Sequence, residues 1–101
     1  MSEQFEQTLR IDAGHPALPG HFPGHPLVPG VVLLEQVALA LRRWRDQRLT
    51  RVIEAKFVAP LLPGETATLC LSGSAPEAAR ARFEIRRDGQ LLARGVVEGA
   101  A

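Results

Sequence analysis

Residues 29–47 read PGVVLLEQVALALRRWRDQ, and their pattern predicts how the other elements are arranged. Its first half is apolar on nearly every side, with Glu35 and Gln36 as the polar exceptions, which predicts a helix over 31–47 that is buried on every side. Proline and glycine precede this helix, and arginines occupy its end, where the helix dipole favours cations. A sheet must therefore wrap the helix in order to cover it.

The segments around the helix alternate apolar and polar residues, as strands do. One such segment, residues 5–11, precedes the helix, and four follow it. The four are residues 51–60, 66–72, 79–87 and 90–98. Asp88-Gly89 predicts a two-residue hairpin between the last two. The sequence therefore predicts an α+β fold, an antiparallel sheet wrapped around one long central helix, in a single domain over 1–101.

Composition narrows the class of protein. The chain has 101 residues and a net charge of +1, which argues against a nucleic-acid-binding role, because a strongly basic face would be expected there. No apolar run is long enough to span a membrane. The one cysteine, Cys70, cannot form an internal disulfide, which fits a reducing, cytoplasmic compartment.

Eleven of the twelve cationic residues are arginines, and they are unevenly spread. One group comprises Arg42, Arg43, Arg45, Arg48 and Arg51, and the other Arg80, Arg82, Arg86, Arg87 and Arg94. Two interpretations stay open for these groups: an ordinary solvated surface, or a docking face for an acidic partner.

Residues 12–30 form a long loop in this interpretation, because they hold five of the eight prolines, four glycines and all three histidines. The loop also contains Phe22, Leu27 and Val28, which favours a loop that packs on the protein. Long ordered loops in compact domains are often functional.

Three groups around this loop suggest chemistry. The helix begins near Gly30, so its backbone N–H groups point outward and suit a developing oxyanion. Glu35 lies in the apolar part of the helix, where burial disfavours the charged carboxylate and favours a proton donor. His21 lies in a segment stiffened by Pro23 and Pro26, and an imidazole held in place is a ready base near neutral pH.

Plainer interpretations remain for each group. A histidine in a loop, such as His15 or His25, is usually solvated or hydrogen-bonded and nothing more. Glu35 could extend to solvent or pair with an arginine. A metal site is disfavoured, because the histidines lie in a proline-rich loop and form no close ligand pair on a helix.

The stretch GHFPGHPLVPGVVLLE, residues 20–35, resembles the signature of the bacterial 3-hydroxyacyl-[acyl-carrier-protein] dehydratases. A second stretch, AKFVAPLLPGE at residues 55–65, is similar to a strand and turn of that family. The resemblance implies the hotdog fold and the dehydration of a 3-hydroxyacyl thioester to its enoyl product. It also implies a homodimer or a higher oligomer, with active sites at the interface between subunits.

The resemblance further implies roles for single residues. His21 and Glu35 match the catalytic pair, which two different subunits supply, and Gly30 matches the glycine whose N–H holds the thioester carbonyl. The substrate tunnel would involve Phe22, Pro23, Val28 and Val31. The substrate would be carried by an acyl carrier protein with its own phosphopantetheine, so no other cofactor is expected. From the clustering of arginines, and not from the resemblance, we expect this carrier to dock on Arg42, Arg43, Arg45 and Arg48.

Two positions depart from the family pattern. Val28 replaces a methionine in an apolar wall, and Leu39 stands where a glutamine helps to orient the acid. The short length is similar to the small dehydratases of aryl-polyene and pigment clusters. Two other functions stay open: a hotdog acyl thioesterase, and a non-catalytic subunit that binds acyl thioesters.

Overall fold

The computed structural model describes residues 3–12, 14, 27–73 and 78–101. It contains one helix and five strands in these ranges. In chain order they are β1 (Glu3–Arg10), α1 (Gly30–Arg45), β2 (Arg48–Phe57), β3 (Thr66–Gly73), β4 (Arg80–Arg87) and β5 (Gln90–Ala100). Across the described ranges, no helix combines the length and the apolar character needed to cross a membrane.

The five strands form one antiparallel sheet in the order β1-β3-β4-β5-β2. α1 therefore connects the two edge strands, β1 and β2, on its way across the sheet. The pairing of β2 with β5 shifts register between Leu49 and Arg51 and again between Val52 and Glu54. Such irregularities bend a strand and increase its twist, which helps an edge strand to curl around a helix.

The core lies between the helix and one face of the sheet. Alternate residues of β3 and β4 point into it, and all are at most 2 % exposed: Ala67, Leu69, Leu71, Ala81, Phe83 and Ile85. The helix contributes Val32, Val37 and Leu41, each fully buried. Burying one large apolar side chain stabilises a fold by about 1.5–3 kcal/mol. The predicted arrangement, an antiparallel sheet around one central helix, is confirmed.

The helix is not buried on every side, as the sequence suggested. Val31 is 62 % and Leu39 52 % exposed, and Glu35, between them, is exposed as well. These three residues follow one another at four-residue spacing and so share one side of α1. We call them the exposed stripe. The prediction is wrong for the single chain because its own sheet covers only the opposite side of the helix.

The hairpin predicted at Asp88-Gly89 is confirmed. Asp88 has φ 51° and Gly89 has φ 82°, the left-handed pair that a tight two-residue turn between twisted strands requires. The helix end is less regular. Asp46 takes the left-handed conformation at φ 54° and donates its N–H to the carbonyl of Arg42, which ends α1 two residues before the predicted Gln47.

Candidate active site

Among the residues that the structure describes, the N-terminus of α1 has no side-chain cap. Its cap residue, Pro29, has no side-chain oxygen with which to accept the first helical N–H groups. The carbonyl of Pro29 accepts the N–H groups of Val32 at 3.0 Å and Leu33 at 3.3 Å, so the helix ladder starts beyond Gly30. The N–H of Gly30 belongs to the first turn, whose donors have no partner within the helix. Together with the helix dipole, this favours an oxygen that carries negative charge.

An apolar cleft of about 350 Å³ adjoins this helix terminus. It lies between the start of α1 and the segment that follows β2. Its lining comprises Leu27, Val28, Pro29, Gly30, Leu33, Phe57, Val58, Ala59, Pro60 and Leu61. Such a lining suits the hydrocarbon part of an acyl thioester, and the adjacent helix terminus suits its carbonyl oxygen.

Phe57 packs directly on Gly30. A Cβ atom at position 30 would lie 2.9 Å from Cζ of the Phe57 ring, closer than side chains normally approach. Gly30 thus allows the ring to rest against the helix start. Sequence reasoning did not assign Phe57 to the site, although the residue lies within the second stretch that resembles the family, three residues before Pro60.

Of the residues predicted to line a substrate tunnel, Val28 borders the cleft. It is 7 % exposed, and its N–H donates to the carbonyl of Leu61 at 2.9 Å. Val31 does not line the cleft but belongs to the exposed stripe. Phe22 and Pro23 lie outside the described residues.

The predicted catalytic pair is not seen together in the chain. Glu35 is exposed and does not line the cleft. His21 lies outside the described residues, as do His15 and His25. The described chain therefore brings Gly30 and the cleft together, while Glu35 lies on the exposed stripe and outside the lining of the cleft.

Three of the four arginines predicted to dock a carrier protein are accessible. Arg42 and Arg43 are exposed near the end of α1, and Arg48 is exposed at the start of β2. Arg42 pairs with Asp46 across one helical turn at 3.3 Å, and Arg43 donates to the side-chain oxygen of Gln7 at 3.1 Å. These surface contacts leave positive charge facing solvent.

The docking prediction is wrong for Arg45, because its side chain is only 1 % exposed and so is not on the surface. Its Nη1 donates to the carbonyls of Ala78 at 3.0 Å and Arg80 at 3.1 Å, and its Nε lies 3.7 Å from a carboxylate oxygen of Glu3. A side chain at Gly73 would collide with this guanidinium. Arg45 thus fills the space between the helix end and the sheet, and a docking protein could not reach it.

A second depression, of about 390 Å³, lies on the outer face of the sheet. Its lining includes the charged residues Glu6, Glu84 and Arg94, which suits an acyl chain poorly. Cys70 also lines this depression. Its burial, and to a smaller extent its hydrogen bond to Glu6, raises the pKa of its thiol. The charged lining of this depression and the apolar lining of the cleft at the helix start leave that cleft as the candidate site for an acyl thioester.

Comparison of the sequence with protein families matches residues 1–96 to a family described as ApeI-like, the ApeI dehydratase. The 3-hydroxyacyl-[acyl-carrier-protein] dehydratase FabZ of Thermus thermophilus is 32% identical over 107 residues, covering 95% of this chain and 69% of the relative. FabZ of Haemophilus influenzae is 35% identical over 73 residues, or 62% of this chain. The match spans about half, 49%, of the length of that relative.

Solved structures share the fold. A chain of the dehydratase heterocomplex ApeI:P from Xenorhabdus doucetiae superposes with a TM-score of 0.83 at 23% identity, covering 100% of this chain and 95% of the other. A 1,4-dihydroxy-2-naphthoyl-CoA thioesterase from Synechocystis gives 0.69 at 18% identity, covering 97% and 81%. At these identities the likeness concerns the hotdog fold alone, which hosts more than one thioester chemistry.

Proposed function

Because the chain belongs to the ApeI-like dehydratase family, we propose that it removes water from a (3R)-3-hydroxyacyl thioester on an acyl carrier protein and forms the trans-2-enoyl thioester. The observation that carries this proposal is the start of α1 at Gly30, which has no side-chain cap within the described residues and adjoins an apolar cleft. A donor for an oxyanion and a space for an acyl chain are thereby combined at one place. The reaction needs both, since charge develops on the thioester oxygen as the α-proton leaves.

In the proposed reaction His21 takes the proton from the carbon next to the thioester. The electron pair of that C–H bond delocalises onto the carbonyl oxygen, where the N–H of Gly30 stabilises it. The pair then forms the carbon–carbon double bond as the C–O bond to the 3-hydroxyl breaks. Glu35 gives its proton to the departing oxygen, which leaves as water. The proton on His21 and the charge on Glu35 return to their starting states through solvent.

We further propose that a second copy of the chain covers the exposed stripe. Val31 and Leu39 leave large apolar surfaces uncovered on either side of Glu35, and the edge strand β2 adds Val52 and Phe57. Apolar surface of this kind, beside the edge strand of a sheet, is typical of an interface. In such a dimer Glu35 becomes buried and meets His21 of the partner subunit, so that each site is completed by two chains.

The carrier protein would approach the surface formed by Arg42, Arg43 and Arg48. These side chains are exposed at neighbouring positions, the end of α1 and the start of β2. Positive charge there would attract an acidic carrier and leave the apolar cleft free for the acyl chain. We infer the cytoplasm as the place of reaction, where acyl carrier proteins and their thioesters are used.

The proposal is tested by incubating the protein with a 3-hydroxyacyl thioester and, separately, with a saturated acyl thioester. A dehydratase produces the conjugated enoyl thioester, seen by its absorbance, whereas a thioesterase releases free thiol from either substrate. His21→Ala should lower the rate about a hundredfold or more, the scale on which a general base contributes. His15→Ala and His25→Ala serve as matched controls and should have much smaller effects.

Free thiol without enoyl product would favour the thioesterase function. Neither product would favour a non-catalytic subunit that binds acyl thioesters. Full enoyl formation by the His21→Ala protein would contradict the role assigned to this histidine.

A further inference from the structure

One side of the cleft is the segment between β2 and β3, and its central residue is Leu61. The Leu61 side chain is 1 % exposed, and its carbonyl accepts the N–H of Val28 at 2.9 Å. Val28 precedes Gly30 by two residues, with Pro29 between them. Since the proline ring restricts the backbone at that link, the position of Val28 largely fixes where α1 begins.

The ion pair of Arg87 and Glu65 binds the peptide groups on both sides of Leu61. Nη1 of Arg87, at the end of β4, donates to the carbonyl of Pro60 at 3.1 Å and to Oε1 of Glu65 at 2.7 Å. The same Oε1 accepts the N–H of Leu62 at 2.9 Å. The pair therefore forms hydrogen bonds with the carbonyl immediately before Leu61 and the N–H immediately after it.

Arg87 and Glu65 are themselves well oriented. Nη2 of Arg87 donates to the side-chain oxygen of Gln90 at 3.1 Å, and the side chains of the pair are 22 % and 35 % exposed. The hydrogen bond from Leu62, with the further contribution of Arg87, lowers the pKa of Glu65 below its ordinary value of 4.5. Glu65 thus stays ionised, and the pair intact, throughout the neutral range.

We propose that Arg87 and Glu65 are positioning residues for the dehydration: through Leu61 and Val28 they set the place of the Gly30 N–H. This inference rests on the proposed function. Neither residue needs to touch the substrate, since they act on the backbone that carries the oxyanion donor. A small displacement of that donor is costly, because its bond to the developing charge depends steeply on geometry.

The test compares Arg87→Met, which keeps the length of the side chain, with Arg80→Met. Arg80 lies at the other end of the same strand and pairs with Glu98 at 3.3 Å, so the control also removes one arginine from an ion pair. Amide hydrogen exchange at Val28 is measured by NMR, beside kcat and KM with a short 3-hydroxyacyl pantetheine thioester. In Arg87→Met, exchange at Val28 should accelerate about tenfold or more and kcat should fall about tenfold, with KM changed less than about twofold. Arg80→Met should leave all three unchanged.

Arg87→Lys supplies a graded variant, and it also serves if Arg87→Met does not fold. Lysine keeps the charge but cannot reproduce the fork of the guanidinium, so both Val28 protection and kcat should take intermediate values. Unchanged exchange at Val28 in the Arg87 variants would overturn the proposal, and so would faster exchange with unchanged kcat. A wild-type protein without dehydratase activity would instead refute the proposed function, and the exchange at Val28 would still decide whether the pair holds the helix start.

Discussion

At the scale of single residues, Arg45 shows how a charge is accommodated inside the fold. Its guanidinium binds two backbone carbonyls, faces Glu3, and stacks over the ring of Trp44, with 4.0 Å from Cζ to the ring centroid. These contacts link the end of α1 to β1 and β4. A buried charge of this kind stabilises a fold only while its partners are in place.

Arg45→Met should therefore lower the free energy of unfolding by about 2–4 kcal/mol, because it removes the positive partner of Glu3 and the donor to the carbonyls of Ala78 and Arg80. The carbonyl of Ala78 keeps only its 3.3 Å hydrogen bond from Gln47. Arg42→Met is the matched control on the same helix end. The Arg42–Asp46 pair is 62 % and 88 % exposed, so its loss should cost less than about 0.5 kcal/mol. Chemical denaturation at one fixed protein concentration measures both values. Equal losses in the two variants would show that Arg45 is an ordinary surface residue.

At the scale of elements, the sequence predicted best where one face of an element is buried by its own chain. β4 was predicted at 79–87 and lies at Arg80–Arg87, because Ala81, Phe83 and Ile85 alternate with polar residues. β2 was predicted at 51–60 but lies at Arg48–Phe57. Most of this edge strand is exposed, so its sequence carries little alternation from which the ends could be read.

The candidate site was predictable only where a local sequence pattern marks it. The helix start at Gly30 was predictable, because proline and glycine interrupt the preceding chain. Other contacts join residues that are distant in sequence. Phe57 packs on Gly30, and the ion pair of Arg87 and Glu65 binds the backbone around Leu61. No local pattern records such pairings, which depend on sheet register and on the path of the connecting turns.

The arginines at the end of α1 and the start of β2 allow a prediction about carrier binding. With an acyl carrier protein as the substrate carrier, the rate should fall as salt is added, whereas a pantetheine thioester should respond little. Replacing Arg42, Arg43 and Arg48 by glutamine should raise KM for the carrier-bound substrate about tenfold at low salt. Replacing Arg82, Arg86 and Arg94, exposed elsewhere on the sheet, removes the same charge and should have a much smaller effect. Equal effects of the two sets would attribute the salt response to net charge alone.

At the scale of the whole molecule, the chain leaves several large apolar side chains uncovered. They are Val31, Leu39, Val52, Phe57, Val58 and Leu62. Apolarity in a sequence indicates that a side chain is covered, but not whether its own sheet or a second subunit covers it. The prediction that α1 is buried on every side is therefore wrong for the single chain. In the proposed dimer, the second subunit would cover the exposed side of α1.

In the proposed dimer each active site is shared, with His21 and Glu35 supplied by different subunits. This sharing is tested most directly in a mixed dimer of one His21→Ala chain and one Glu35→Gln chain, purified by two different affinity tags. One of the two sites in that dimer would hold both working residues, so we expect about half of the wild-type rate of enoyl thioester formation, from two parents that are each nearly inactive. A confirmed mixed dimer that is no more active than its parents would show that His21 and Glu35 do not act across the interface.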